Sequence, residues 1–236
     1  MYGFVFDGIY QYSDFNQQPN GSYVIKDEVP AGNGVGGQTP LNVQPGDPKY
    51  RDINGDGLIN ANDQTIIGNP YPIHVGGINN NFTYKSFDLN VFFQWSYGNQ
   101  TYNANRIYLE GGTSVGLNTN QFATYANRWT PDNPSNELYR ANAIGTSVYS
   151  TRFLEDASFI RLKTMQLGYT LPAKLINRIG LRTLRLYTSA QNLYTWTKYS
   201  STDPENSTRG NGVTAGYDFS AYPRALTVTF GLNLTL

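Results

Sequence analysis

The chain has 236 residues, room for one large or two ordinary domains, of which only 14% are charged, with 17 Lys and Arg against 17 Asp and Glu. That balance excludes the basic footprint of a nucleic-acid binder and an acidic tail, and the lack of cysteine excludes a disulfide scaffold and a thiol catalyst. Aromatics also reach 14%, mean hydropathy is -0.47, and no run approaches ~18 apolar residues, which excludes a spanning helix but not a spanning barrel of alternating strands.

The first segment, Met1-Tyr2-Gly3-Phe4-Val5-Phe6-Asp7, lacks the basic start and apolar core of a secretory signal. The chain is therefore either not exported by that route or a piece of something longer. Further on, Pro45 and Pro48 forbid a helix before Arg51, because each restricts the residue preceding it. Residues Asp52 to Asp63 then set oxygen donors where a hard cation needs them. With Asp52 as position 1, Asn54, Asp56 and Asp63 fall at 3, 5 and 12, Gly57 takes the sharp turn at 6, and Leu58 at 7 offers its backbone carbonyl. Asn60 at 9 could hold a water. The spacing predicts a Ca²⁺ loop, with Asp63 standing where the common loop has the longer Glu. The competing reading is a cluster of Asx turns in which Asp and Asn cap their own backbone. No helix pair flanks the segment, since Gly68-Asn69-Pro70 stops anything begun at Gln64. A metal here would order a long surface loop and take no part in catalysis.

Strand periodicity begins at His74. His74 to Tyr84 is expected to pair with the strand starting at Phe87 across a tight turn at Lys85-Ser86. In that second strand Phe87, Leu89, Val91, Phe93, Trp95 and Tyr97 share one face, with Asp88, Asn90, Gln94 and Ser96 opposite and Phe92 as the exception. Ser158 to Leu171 and Arg182 to Tyr194 form another pair, linked by Pro172 to Gly180. The apolar face of the former changes parity near Lys163, which predicts a bulge or a strand end above the bilayer. In the last strand Leu226, Val228, Phe230, Leu232, Leu234 and Leu236 alternate with small or polar residues.

Short and long connections alternate. The Lys85-Ser86 and Pro172–Gly180 links are short, whereas 16–69, 98–157 and 195–223 are long. That asymmetry predicts an all-β section of a transmembrane β-barrel: about five antiparallel strands, short periplasmic turns on one rim and long external loops on the other. It divides the chain into an external loop region, residues 1–70, holding the calcium-type loop 52–63, and the barrel strands, residues 71–236. Five strands cannot close a barrel, so the chain is expected to be incomplete. A soluble β-sandwich is the alternative, since alternation also describes a half-buried sheet.

Four pieces resemble the C-terminal end of a SusC/RagA-type TonB-linked outer-membrane transporter. Tyr2 to Gln11 is similar to the stretch entering a long external loop, and Gly46 to Gly57 to a calcium-like segment. Asn69-Pro70 with Asn81 to Leu89 matches a family hairpin. Phe159-Ile160-Arg161-Leu162-Lys163, Leu167-Gly168-Tyr169 and Ser189 to Thr195 repeat the pattern of the last strands. The resemblance implies a barrel of roughly 22 strands with a plugged lumen. It also implies a SusD-type lipoprotein lid, contact with TonB through parts upstream of Met1, and uptake of oligosaccharides or peptides across the bacterial outer membrane. Leu236 departs from the aromatic residue that ends many such barrels.

A reading of another class is a secreted, calcium-stabilised carbohydrate-binding β-sandwich in which Trp129 and Trp196 stack on sugars. Both tryptophans also suit loop packing or a membrane interface. No enzyme is expected. His74, the only histidine, reads as a structural imidazole, and Glu110, Glu137, Glu155 and Glu205 pair at no spacing suited to acid/base work.

Overall fold

In a computed structural model, residues 1–110, 120–205, 208 and 215–236 are described. Five long strands dominate: β1 (His74–Tyr84), β2 (Phe87–Tyr97), β3 (Phe159–Thr170), β4 (Thr183–Thr197) and β5 (Thr227–Thr235). They form one antiparallel meander in the order β5-β4-β3-β2-β1. The β1–β2 turn falls at Lys85-Ser86, with Phe87 opposite Tyr84.

Register keeps one face apolar across all five strands. Leu89 on β2 lies opposite Phe82 and Leu167, and Leu186 on β4 lies opposite Tyr169 and Leu232. The expected parity change is a bulge at Lys163. Thr164 pairs with Phe92 and Leu162 with Phe93, so one residue on β3 is left over. The extra residue keeps Leu162 and Ile160 on the apolar face with Phe93 and Trp95. Without it Arg161 would replace them. Strand β4 irregularly matches this point, since Thr164 pairs with Gln191 and Leu162 with Tyr194 while Asn192 sits at φ 55. Phe92 lands on the polar face, where Gly77 makes room for it: a Cβ on Gly77 would stand 2.8 Å from the ring.

The apolar face is uncovered. Phe230 is 80% exposed, and Val228, Leu232, Leu234, Phe82 and Ile160 are all more than half exposed. A β-sandwich would pack a second sheet there, so the sandwich alternative fails and the sheet is a barrel wall. One boundary also moves. β4 runs to Thr197, past the expected end at Tyr194, which places Trp196 in the strand opposite Ile160 and not in a loop.

The described residues of 71–101, 156–206 and 221–236, which include this sheet, form one compact unit, and those of 1–70, 102–155 and 207–220 form a second, the loop unit. The loop unit therefore also takes in residues from between β2 and β3. It contains short strands and three apolar clusters, the largest around Tyr102, Trp129, Tyr139 and Phe153. Arg152 lies over the rings of Tyr139, Phe6 and Phe153 while bonding Glu110 at 2.6 Å. No described helix is long and apolar enough to cross a membrane.

Candidate functional site: an oxygen-rich loop and the polar face of the sheet

Between Asp52 and Asp63 backbone N–H groups converge on side-chain oxygens. The Asp52 carboxylate accepts from Gly55 N at 2.7 Å and Gly57 N at 2.8 Å, while Gly55 and Gly57 adopt positive φ of 77° and 81°. Asn54 Oδ1 accepts from Asp56 N at 3.0 Å, and Asp56 Oδ1 from Leu58 N at 2.8 Å. Asp63 is fully buried and accepts from Ile53 N and Asn60 N, each at 2.8 Å. The Asn54 and Asp56 bonds are Asx turns, whereas Asp52 and Asp63 tie together residues farther apart along the loop. The Gly57 N–H, opposed by some desolvation and aided by Gly55, holds the Asp52 carboxyl below the ordinary carboxylate range, so it is anionic near neutrality.

The donors suit a hard cation in kind, being carboxylate, amide and backbone oxygens, and the Asp52 and Asp56 oxygens each keep a second lone-pair site beyond one N–H bond, whereas Asp63 Oδ1 already accepts two. Their arrangement is looser. The Leu58 carbonyl takes a 3.5 Å contact from Asn60 Nδ2, and no three His, Cys, Asp or Glu side chains converge among the described residues.

The polar face of the sheet carries two ionic constellations that the sequence did not reveal. On β3, Arg161 is 2% exposed and spends its guanidinium on Asp203 Oδ1 at 2.6 Å, Glu205 Oε2 at 2.9 Å and Thr195 Oγ1 at 2.8 Å. Arg224 reaches the same two carboxylates at 3.5 and 3.3 Å. Lys163, the bulge residue, donates to Gln94 Oε1, and Gln94 Nε2 in turn contacts Glu205 at 3.5 Å. This cluster ties the segment after β4 down onto the sheet. Its acids lie some forty residues from Arg161, so no local spacing announces it. The second constellation is Asp88–Arg185, paired through two hydrogen bonds across Gly168, where a Cβ would come within 2.4 Å of both side chains. Beside it Asn90 Nδ2 donates to Asn79 at 2.8 Å and Asn81 at 2.6 Å. The face is thus polar and amide-rich, with its arginines paired to carboxylates and Lys163 held by an amide.

The residues weighed for catalysis or sugar stacking take structural roles. Trp95 Nε1–H donates to His74 Nδ1 at 3.1 Å, which puts the neutral imidazole's proton on Nε2, and the ring stacks on Tyr97 with centroids 5.2 Å apart. Glu110 and Glu155 pair with Arg106. Glu205 belongs to the Arg161 cluster, and Glu137 is exposed. Trp129 is only 5% exposed and donates to Gln11 Oε1 at 2.9 Å, so it offers no face to a sugar. Trp196 is half exposed on the apolar side, beside Tyr194.

An apolar-out, polar-in meander with short turns on one rim and long links on the other defines a section of a transmembrane β-barrel. Comparison supports this. The chain is 34% identical over 99% of its length to TonB-dependent receptor P3 of Formosa agariphila, and 37% identical over 80% to receptor P26 of that organism. It is 29% identical over 82% to the TonB-dependent receptor SusC of Bacteroides thetaiotaomicron. Its fold matches the RagAB peptide transporter with a TM-score of 0.71 at 23% identity, covering 99% of this chain. No family model matches it. The class is the TonB-dependent receptors, and within it the chain is of the SusC/RagA type. It spans about a fifth of the length of the relatives it matches.

Proposed function

We propose that the chain forms part of the barrel wall and external loops of a bacterial outer-membrane receptor that takes up oligosaccharides or peptides with energy delivered through TonB. The observation carrying this reading is the uncovered apolar face of a five-stranded sheet whose opposite face is polar, on a sequence matching a TonB-dependent receptor nearly end to end. In this reading the even residues of β5 face lipid and the odd ones the lumen. Residues 1–70 and the long links stand outside the cell, near a SusD-like lipoprotein lid. Parts of the links, at 111–119, 206–207 and 209–214, lie outside the described residues. No residue here carries out chemistry.

Ca²⁺ belongs to the same proposal. Asp52, Asn54, Asp56, the Leu58 carbonyl and Asp63 would hold it, and its charge would tighten a loop already shaped by hydrogen bonds. Terbium luminescence and protease protection of the loop, followed in the complete receptor with Ca²⁺ or Mg²⁺, test this part. Protection by Ca²⁺ that is lost in Asp52→Asn supports the site, and a cleavage pattern indifferent to Ca²⁺ removes it.

The transport reading is tested by deleting the receptor gene and, separately, TonB, then measuring uptake of labelled oligosaccharide and peptide pools and lid recovery on the purified receptor. Loss of one pool's uptake in both deletions supports it. Uptake independent of both, or turnover of the pool by purified receptor, refutes it.

A further inference from the structure

Charge is distributed along the strands very unevenly. Of the 17 acidic residues, all but Asp88 lie in segments 1–73, 98–158 and 198–226, and Asp88 is engaged by Arg185. The short-connection rim, residues 84–87 and 171–183, has no Asp or Glu but holds Lys85, Lys174, Arg178 and Arg182. All four are exposed, and none enters an ion pair among the described residues. The two connections adjoin, because Thr170 N donates to Ser86 O at 2.8 Å. Lys85 adds an independent observation. It sits at φ 54, a conformation that Gly or Asn fills without strain, with its ammonium 5.2 Å from the Tyr84 ring centroid. Tyr84 and Leu175 are 70% and 60% exposed, so the cations border an apolar edge.

We propose that this rim binds the phosphate headgroups of anionic phospholipids in the leaflet it faces, with Tyr84 and Leu175 lying against the first acyl carbons; this rests on the membrane-barrel reading. Several unpaired cations at one edge add their attraction to an anionic surface, within a Debye length and subject to salt. Arg178 and Arg182 bring forks that match phosphate oxygens, and the lysines bring mobile point charges.

The test uses the complete receptor in nanodiscs of phosphatidylcholine with or without phosphatidylglycerol, and native mass spectrometry of the lipids retained after detergent extraction. Insertion of wild-type receptor is scored first. Failure to insert defeats the barrel reading and this inference together. Wild type should retain phosphatidylglycerol several-fold over phosphatidylcholine, and the preference should fade as salt rises. The quadruple variant K85Q/K174Q/R178Q/R182Q should insert but lose the preference, and K85R/K174R/R178K/R182K should keep it. Equal retention by wild type and the Gln variant overturns the proposal. So does complete displacement by inorganic phosphate, which would mark a simple anion site. Unchanged lipid retention with impaired capture of TonB would overturn it in favour of an acidic protein partner.

Discussion

Parity decides what a single substitution does in β5. Val228→Arg or Phe230→Arg should cost about 2–4 kcal/mol near the bilayer midplane, whereas Thr229→Arg, on the polar face opposite Ser189, should be tolerated. Denaturant titration of the complete receptor checks the contrast, and equal damage at both parities would mean a sheet buried on both sides. Arg161 poses a different problem, because Asp203 is as buried as its partner. Arg161→Met leaves buried Asp203 and Glu205 only their longer contacts to Arg224 and should cost up to about 3–5 kcal/mol. The companion variant Arg161→Met/Asp203→Asn/Glu205→Gln should recover much of that, which a merely steric role would not allow. At Asp52 the sign of the pH effect follows from its depressed pKa. The folded loop binds fewer protons there than the unfolded one, so the stabilisation is complete above the unfolded value of about 4 and is lost as pH falls through the lower folded value. Protease protection of residues 52–63 should therefore weaken on acidification toward pH 3 and be less pH-dependent in Asp52→Asn.

At the scale of the element, the bulge is the most informative feature. Its one extra residue lets β3 begin with Ile160 on the apolar face and end with Tyr169 on that same face. Deleting Lys163 should turn either half of the strand inside out and abolish outer-membrane assembly, as read by heat-modifiable mobility, while Lys163→Ala should assemble. The strands and this bulge were legible because alternation with period two is local and a sheet with one apolar and one polar face enforces it. The far end of β4 was not, since Thr195 and Thr197 look like loop residues until Trp196 is seen opposite Ile160. The Arg161 cluster was invisible for a related reason: Asp203 and Glu205 approach only after the chain folds back. The oxygen loop was legible as a spacing, and the structure adds Asx turns at Asn54 and Asp56 together with longer-range bonds to Asp52 and Asp63. The long links invite their own test. Shortening 98–157, or the part of the other link beyond Glu205, in the complete receptor should reduce nutrient uptake or lid recovery with surface abundance unchanged, because loops far longer than closure requires usually carry a task.

In the whole receptor as proposed, one side of this sheet meets lipid and the other an aqueous lumen. The aromatic rows of the apolar face mark the limits of that slab. Phe87 and Tyr169 lie near one rim, Trp95 and Trp196 near the other, eight residues apart along β2, or roughly 26 Å of strand before tilt. That span matches an apolar band of about 25 Å only when tilt is modest or the rings lie at the headgroups. Single cysteines can be introduced at positions 227–235 of the complete receptor, freed of any cysteine outside these residues, then spin-labelled and reconstituted. The measurement is collision with oxygen, which concentrates in lipid, against collision with a water-soluble nickel chelate. A barrel wall should show a two-residue oscillation, with oxygen favoured at 228, 230, 232 and 234 and nickel at 229, 231 and 233. Uniform accessibility along the strand, or oscillation in the opposite phase, would contradict it.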